Sequence, residues 1–212
     1  MPTIEQARSW YQDADVVHNF DHVLRVYRMA ETLARLEGAD IEIIRAAALL
    51  HDAQGSAPGG DVKARAAHHE ISAQFAGETL NEEGWGVERI KAVQHCIRAH
   101  RYRSTEEPTT IEAKVLFDAD KLDVLGAIGA SRTIAYAVLD HQPIYEEPSQ
   151  HFLDTLEKDA GEAHSAYHEF LFKLSKVKDR LYTKSAIEKA QARNQYLLDF
   201  FEQLGSEIKG ER

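Results

Sequence analysis

The sequence predicts an all-α protein, a single helical bundle with a long C-terminal helical extension. Nearly every apolar pattern in the 212 residues has the three- and four-residue spacing of a helix face, and alternating strand patterns are scarce. The sequence contains no internal repeat, low-complexity tract or long linker. We therefore expect one domain over residues 1–212, with a core at about 15–140 and the helical extension at about 149–208.

Two helices are predicted in the first quarter of the chain. The first follows Asp21, carries apolar residues every three or four positions, and ends before Gly38. Asp40 is a typical N-cap residue for the second helix, which runs through small and apolar residues. That helix should end near His51-Asp52, because glycines and a proline follow.

The later helices follow from the same spacing rule. An Ala-, Glu- and Gln-rich stretch predicts a third helix, from Asp61 to about Leu80, and Val87 to His100 predicts a fourth. The apolar segment from Val115 to Ala137 favours helix as well. Two prolines interrupt the pattern after it, and the last long helix is expected over about residues 187–208.

Composition excludes several classes of function. The formal net charge of −10 argues against a protein that coats polymeric nucleic acid or binds an anionic membrane surface. Cys96 is the single cysteine, no apolar run approaches a membrane span, and Met1 to Tyr11 lacks a secretory pattern. We therefore expect a cytoplasmic protein, and a small phosphorylated ligand remains compatible with the charge.

His51 and Asp52 stand where a buried helix should end. A helix that is apolar on most faces is buried, so its end delivers an imidazole and a carboxylate to the interior or to a cleft. A buried carboxylate needs an arginine, a lysine or a metal ion beside it. The alternative is an ordinary helix C-terminus, with His51 near the helix dipole and Asp52 solvated.

A second polar interruption lies in the apolar segment near residue 120. Asp120 shares a helix face with apolar residues four positions before and after it, and Lys121 does the same. Asp118 and Asp123 also lie in this helix. The alternative to a functional site is an internal ion-pair network, for instance Asp118 or Asp123 with Lys121 or Arg132.

His22 is the third anomaly, because it lies on the apolar stripe of the first helix. Seven of the eleven histidines fall between His18 and His100. A lone histidine on such a stripe is more often a hydrogen-bonded core residue than a ligand. Arg25 lies three residues after His22 and reaches the same cleft or the surface.

Four segments carry a family resemblance: FDHVLRV at 20–26, AALLHD at 47–52, HHEISA at 68–73 and DADKLDVLGAIG at 118–129. They resemble the HD superfamily of metal-dependent phosphohydrolases, and specifically a stand-alone bacterial group that includes nucleoside triphosphate pyrophosphohydrolases. The resemblance runs from about residue 15 to residue 193, and residues 161–168 look like extra sequence.

The resemblance implies a divalent metal ion held by His22, His51, Asp52 and Asp120. Two imidazoles and two carboxylates suit an octahedral Mn²⁺, Fe²⁺, Co²⁺ or Ni²⁺ ion; Mn²⁺ is favoured, and Mg²⁺ is included. The ion would lower the pKa of a bound water molecule. Asp52 would also orient or deprotonate that water.

Further residues are assigned to the substrate side of the site. Together with Asp52, the expected catalytic residues are His69, His100 and Lys121. The residues expected to neutralise the charge of the phosphate are His18, Arg25 and Lys121. His95 fits a second metal or a buried structural role equally well. Several relatives have an acidic residue near position 54, where this chain has Gln54, so the general base is left unassigned.

The expected function is hydrolysis of a phosphate ester or phosphoanhydride of a small nucleotide. A homo-oligomer is compatible with the sequence; a polymeric nucleic acid partner and a membrane partner are not expected. Two alternatives remain open. One is a di-iron oxygenase, if His69, His95 or His100 binds a second iron; the other is a non-catalytic helical module with a structural metal.

Overall fold

The computed structural model describes residues 1–11, 20–54, 62–101 and 106–212, with only the backbone described for residues 62–67. These ranges are helical and contain no strand, which confirms the all-α prediction. The elements, in chain order, are α1 (Ile4–Arg8), α2 (Phe20–Glu37), α3 (Ile41–Leu50), α4 (Val62–Glu82), α5 (Val87–Ala99), α6 (Ile111–Leu122), α7 (Gly126–Leu139), α8 (Gln150–Thr155), α9 (Ala166–Phe172), a 3₁₀ helix (Leu174–Arg180) and α10 (Lys184–Ile208).

Local sequence fixes the ends of α2 and α3. Gly38 follows α2 with a φ of 72°, a left-handed conformation that glycine adopts without steric cost. The Asp40 carboxylate then accepts hydrogen bonds from the backbone N–H groups of Glu42 and Ile43, at 2.9 and 3.2 Å. The predicted N-cap is confirmed, and α3 begins at Ile41.

The apolar segment from Val115 to Ala137 forms two helices, α6 and α7, with a break between them at residues 123–125. Gly129 explains the tight packing at the start of α7. A Cβ atom at this position would lie 2.2 Å from the carbonyl oxygen of Val124, so a larger residue does not fit. The break therefore depends on a glycine, which apolar periodicity alone does not reveal.

The chain divides into two compact units by its internal contacts. The first contains residues 1–120 and 181–186, and the second contains residues 121–180 and 187–212. The one-domain organisation, with a core at about 15–140 and an extension at about 149–208, stays a prediction.

Helix α3 is the centre of the first unit. It contacts α1, α2, α4 and α5. Every residue from Ala46 to Leu50 is at most one per cent exposed, as the run of small and apolar residues predicts. The end of α3 is therefore buried among four other helices, and the residues that follow it enter the interior of this unit.

The second unit is built on aromatic packing. Phe170 of α9 stacks on Phe201 of α10 with ring centroids 4.6 Å apart, and the Phe152 ring lies 4.6 Å from that of His168. Helix α9 also contacts α7 and the 3₁₀ helix.

Within the described ranges, no single helix combines the length and the apolar composition that a membrane span requires. Helices α6 and α7 meet that test only when they are joined across the break between them.

Candidate metal centre

His51 leaves the end of α3 with a defined tautomer. Its Nδ1 atom lies 2.8 Å from the carbonyl oxygen of Ala48, one of the last carbonyls of the helix. A carbonyl can only accept a hydrogen bond, so Nδ1 carries the proton and donates it. In the neutral ring, Nε2 then has a lone pair and no proton.

Burial keeps the His51 ring neutral at physiological pH. The side chain is fully buried, and burial lowers the pKa of His51 to about 4, although the charge of Asp52 opposes the shift. The Nε2 atom makes no hydrogen bond within the described part of the chain. Its neighbour is the Oδ2 atom of Asp52, at 3.5 Å.

Two further elements bring ligand-type atoms to the same place. His22 of α2 is buried, and its Nε2 atom lies 3.3 Å from Oδ1 of Asp120 in α6 and 3.9 Å from Oδ2 of Asp52. The ligand atoms of His22, His51 and Asp52 all lie within 4.8 Å of one another. The structure thus brings together the four residues that the resemblance assigns to a metal ion.

A second group of imidazoles lies on the other oxygen of Asp52. The Nε2 atoms of His68 and His100 lie 3.4 and 3.5 Å from Oδ1, and these three ligand atoms are also within 4.8 Å of one another. His100 repeats the His51 arrangement, since its Nδ1 lies 2.5 Å from the carbonyl oxygen of Ile97. Asp52 is therefore shared by two groups of possible ligands.

The charges in this cluster fit a cation. Burial raises the pKa of Asp52, but the neighbouring imidazoles of His51, His100 and His68 lower it by a larger amount. The pKa is therefore well below its usual value, and the carboxylate is ionised. The His51 Nε2 atom, which has no hydrogen-bond partner within the described part of the chain, faces this carboxylate at 3.5 Å. A divalent ion would be bound by both atoms, since imidazole with carboxylate is a donor set that such ions accept.

Two neighbouring carboxylates are engaged elsewhere. Asp118 accepts hydrogen bonds from the backbone N–H groups of Tyr182 and Thr183, at 2.9 and 2.7 Å, and from the Thr183 hydroxyl at 2.6 Å; burial raises its pKa. Asp123, in the second unit, forms a salt bridge with Arg132. The expected ion pair exists for Asp123, whereas Asp118 anchors residues 182–183 to α6, two residues before Asp120.

The structure separates the two adjacent histidines of α4. His68 reaches Asp52, whereas His69 is buried with its Nε2 atom 3.8 Å from a carboxylate oxygen of Glu70. The sequence assignment of His69 missed His68. No sequence signal separates the two histidines, because Ser72 and Ala73, one turn after His68 and His69, are both buried.

The remaining predicted residues lie in different surroundings. Arg25 is half-buried in α2, one turn after His22, and Lys121 follows Asp120 in α6 with nine per cent exposure. His18 lies outside the described residues. His95 contacts Glu106 at 2.6 Å and accepts a hydrogen bond from the backbone N–H of Thr109 at 3.2 Å, which indicates a structural role.

Comparison with known proteins adds relatives of similar length. YpgQ of Bacillus subtilis is 32% identical over 97% of this chain and 94% of that protein. The crystal structure of YpgQ in complex with ADP aligns with a TM-score of 0.74 and 29% identity, over 99% of this chain and 100% of that one. An HD-superfamily hydrolase from Bacillus thuringiensis gives a TM-score of 0.68 and 29% identity, over 97% and 96% of the two chains.

The HD domain model matches residues 19–125. This stretch holds the first-unit cluster, from His22 at its beginning to Asp120 near its end. The chain therefore has the fold of the HD-superfamily hydrolases together with a His/Asp cluster of the kind that binds divalent metals. The resemblance deduced from the sequence is confirmed, and the chain belongs to the HD-domain family.

Proposed function

We propose that this chain is a metal-dependent phosphohydrolase that cleaves a phosphate ester or phosphoanhydride of a small nucleotide. The observation that carries the proposal is the convergence of His22, His51 and Asp52, whose ligand atoms all lie within 4.8 Å of one another. There, the buried Nε2 atom of His51 faces a carboxylate oxygen of Asp52 at 3.5 Å. A divalent ion would be bound by both atoms.

His22, His51, Asp52 and Asp120 would hold the ion, and Mn²⁺ is the favoured metal, with Fe²⁺, Co²⁺, Ni²⁺ and Mg²⁺ as the other candidates. When bound, the ion supplies a water molecule of lowered pKa and polarises the phosphoryl oxygen. His51 contributes through its fixed tautomer, because the Ala48 carbonyl holds the proton on Nδ1 and keeps Nε2 available.

Asp52 is the side chain best placed to orient the attacking water. Its carboxylate is ionised, half-buried and shared between the two imidazole groups. His68 and His100 lie on the Oδ1 side and would be the imidazoles that contact the phosphate. His69 and Lys121 stay proposals as catalytic residues, and Lys121, Arg25 and His18 stay proposals as groups that neutralise the charge of the substrate.

The nucleotide part of the proposal is supported by the relatives. YpgQ, which matches this chain over nearly its whole length, has been crystallised in complex with ADP. A ligand of that class carries a diphosphate, and a metal ion in an acidic protein provides the positive charge that a diphosphate requires. The base, the sugar and the bond that is cleaved are left to experiment.

A product assay tests the proposal directly. Purified protein is incubated with nucleoside mono-, di- and triphosphates and Mn²⁺, and phosphate is measured by malachite green with and without inorganic pyrophosphatase. Signal without the added enzyme indicates phosphate release, and signal that requires it indicates pyrophosphate release. A folded, metal-loaded sample that turns over no phosphorylated compound contradicts the proposal.

The second group of ligand atoms favours one other candidate function. If Asp52, His68 and His100 hold a second ion, the pair of sites resembles a di-iron oxygenase centre. Metal content decides between the two, because one ion per chain removes the oxygenase hypothesis. Two irons per chain with oxygen uptake and no hydrolysis would replace the main proposal.

The expectations on partners and location stay predictions. They are a small phosphorylated substrate, neither polymeric nucleic acid nor membrane as partner, a chain that is compatible with a homo-oligomer, and a cytoplasmic location. Tight binding of duplex DNA at physiological salt would contradict the expectation that polymeric nucleic acid is not a partner.

A further inference from the structure

Two hydroxyl groups bracket the turn that carries His51 and Asp52. The Tyr11 hydroxyl donates a hydrogen bond to the carbonyl oxygen of Leu49 at 2.8 Å, two residues before His51. Ser72 contacts the backbone of Gln54, two residues after Asp52. Neither residue carries a ligand atom in the metal-type groups described above.

Each of the last carbonyls of α3 is bound by a different group. Ala48 accepts from the His51 ring, Leu49 accepts from Tyr11, and Leu50 accepts from the backbone N–H of Ala53 at 3.2 Å. A helix end has no further N–H groups of its own to offer these carbonyls. Tyr11 thus fixes the Leu49 carbonyl, which lies between the Ala48 carbonyl that orients His51 and the Leu50 carbonyl that closes the turn.

Tyr11 is itself held in place by apolar packing. It lies against a cluster formed by Ala7, Phe20, Val23 and Leu49, and its ring is 5.4 Å from that of Phe20. A rigid, packed aromatic ring loses little entropy when it forms a hydrogen bond. The Tyr11 hydroxyl therefore restrains α3 from a fixed support.

Ser72 restrains the other side of the turn with two bonds. Its hydroxyl oxygen accepts from the backbone N–H of Gln54 at 3.1 Å and donates to the Gln54 carbonyl at 3.0 Å. Ser72 is fully buried and lies one helical turn after His68, on the same face of α4. Helix α4 therefore meets the turn twice, through His68 at Asp52 and through Ser72 at Gln54.

We propose that Tyr11 and Ser72 are positioning residues of the metal centre, which set the distance and direction of His51 and Asp52 without touching the ion. The inference rests on the proposed function, because it assumes that the His51–Asp52 turn binds a divalent metal. Groups that orient ligands typically change metal affinity or activity by about 10- to 100-fold when they are removed. We expect the lower end of that range for each hydroxyl.

The test measures the Mn²⁺ dissociation constant of the full chain by isothermal titration calorimetry, for Tyr11→Phe, Ser72→Ala and the double variant. Each sample is kept below its own unfolding temperature. Matched controls remove the same atoms in the second unit: Tyr145→Phe, whose hydroxyl donates to Glu147 at 2.7 Å, and Ser175→Ala, whose hydroxyl donates to the Leu171 carbonyl at 3.3 Å.

The expected result is a dissociation constant raised about 10-fold in each single variant and further in the double variant, with both controls unchanged. A purely structural role would lower the unfolding temperature and leave the affinity of the folded protein unaltered. Affinities within twofold of wild type in folded Tyr11→Phe and Ser72→Ala overturn the inference. A shift in one variant alone overturns it for the other hydroxyl.

This readout separates the two proposals. If the wild type binds Mn²⁺ but hydrolyses no nucleotide, the proposed function fails and the variant affinities still decide the roles of Tyr11 and Ser72. If the wild type hydrolyses nucleotides and the variants bind Mn²⁺ as it does, the positioning inference fails alone. A wild type that binds no divalent ion contradicts both.

Discussion

Each unit contains a cluster of histidine and carboxylate side chains, and the two clusters differ in how completely they are hydrogen-bonded. In the second unit, each oxygen of Glu162 accepts two hydrogen bonds. Oε1 accepts from the Ser149 N–H and from His168, and Oε2 accepts from the Ser149 hydroxyl and the Asp159 N–H, all at 2.7–3.0 Å. His168 also bonds the Ser165 hydroxyl through Nδ1, at 2.7 Å.

The cluster of the first unit consists of His22, His51, Asp52, His68, His100 and Asp120. It contains the same chemical groups, but it is less completely hydrogen-bonded. His51 uses Nδ1 only, and its buried Nε2 has no hydrogen-bond partner among the residues that the structure describes. Buried polar groups are nearly always bonded, so such an atom requires an explanation. The complete cluster is therefore expected to be structural, whereas the incomplete one has room for a ligand.

The largest effect is expected from a substitution in the incomplete cluster. His51→Ala removes an imidazole that would hold the ion, and a catalytic metal supplies several kcal/mol of transition-state stabilisation, so turnover should fall about 10³-fold or more. Turnover and bound Mn²⁺ are measured together, with circular dichroism to monitor the fold. If the variant keeps its turnover, or unfolds while His168→Ala stays folded, the comparison between the clusters is wrong.

The next effect distinguishes the two histidines of α4. His68 Nε2 lies 3.4 Å from Asp52 and His69 Nε2 lies 3.8 Å from Glu70, so His68→Ala should reduce turnover by about 10²-fold and His69→Ala by much less. The pair is matched in sequence position and chemistry. A larger loss of turnover in His69→Ala than in His68→Ala would assign the substrate-side role to His69, as the sequence analysis does.

The complete cluster should make the stability of the fold depend on pH in the acid range. Hydrogen bonds from the Ser149 N–H and then from His168 lower the pKa of Glu162 from about 4.5 to about 2. The ionised form therefore stabilises the fold above pH 4.5, and this stabilisation is lost as the pH falls toward 2.

Glu162→Gln should lower the free energy of unfolding at pH 7, because an amide N–H₂ replaces one of the two accepting oxygens. It should also flatten the decline in stability between pH 4.5 and pH 2, as measured by urea unfolding across that range. Turnover at pH 7 in the folded variant should equal that of wild type. Loss of Mn²⁺ binding in this variant would mean that the second-unit cluster has more than a structural role.

The smallest expected effect concerns the start of α9. Ser165 is its N-cap and accepts a hydrogen bond from the backbone N–H of His168 at 3.2 Å. Ser165→Ala should lower the free energy of unfolding by about 1–3 kcal/mol, because it removes the N-cap and also leaves the buried His168 Nδ1 without its hydroxyl partner. Chemical denaturation measures it, and an unchanged stability would show that the cap is not needed.

The sequence predicted the helical fold and the family for an identifiable reason, and the metal-ligand assignment stays a prediction. Apolar spacing and the Asp40 cap follow local rules, and polar residues interrupt the apolar pattern at buried His22 and His51 and at half-buried Asp52 and Asp120. The resemblance to the family then grouped them, and the structure brings them together.

What the sequence could not predict depends on geometry across the chain. His68 and His69 are adjacent, and only the packing of α4 selects the one that faces Asp52. The hydroxyls of Tyr11 and Ser72 bond backbone atoms 38 and 18 residues away, and such contacts leave no local pattern. Residues 161–168, which looked like extra sequence, supply Glu162, Ser165 and His168 to the hydrogen-bonded cluster of the second unit.

The central claim is that the incomplete cluster is a metal-dependent catalytic centre. The most direct measurement is the initial rate of phosphate or pyrophosphate release from a nucleotide by chelator-treated wild-type protein, before and after Mn²⁺ is added back. We predict no turnover without metal, full turnover with Mn²⁺, and none for His51→Ala in either condition. Equal rates with and without metal, or no turnover by folded, Mn²⁺-loaded protein with any nucleotide, would contradict it.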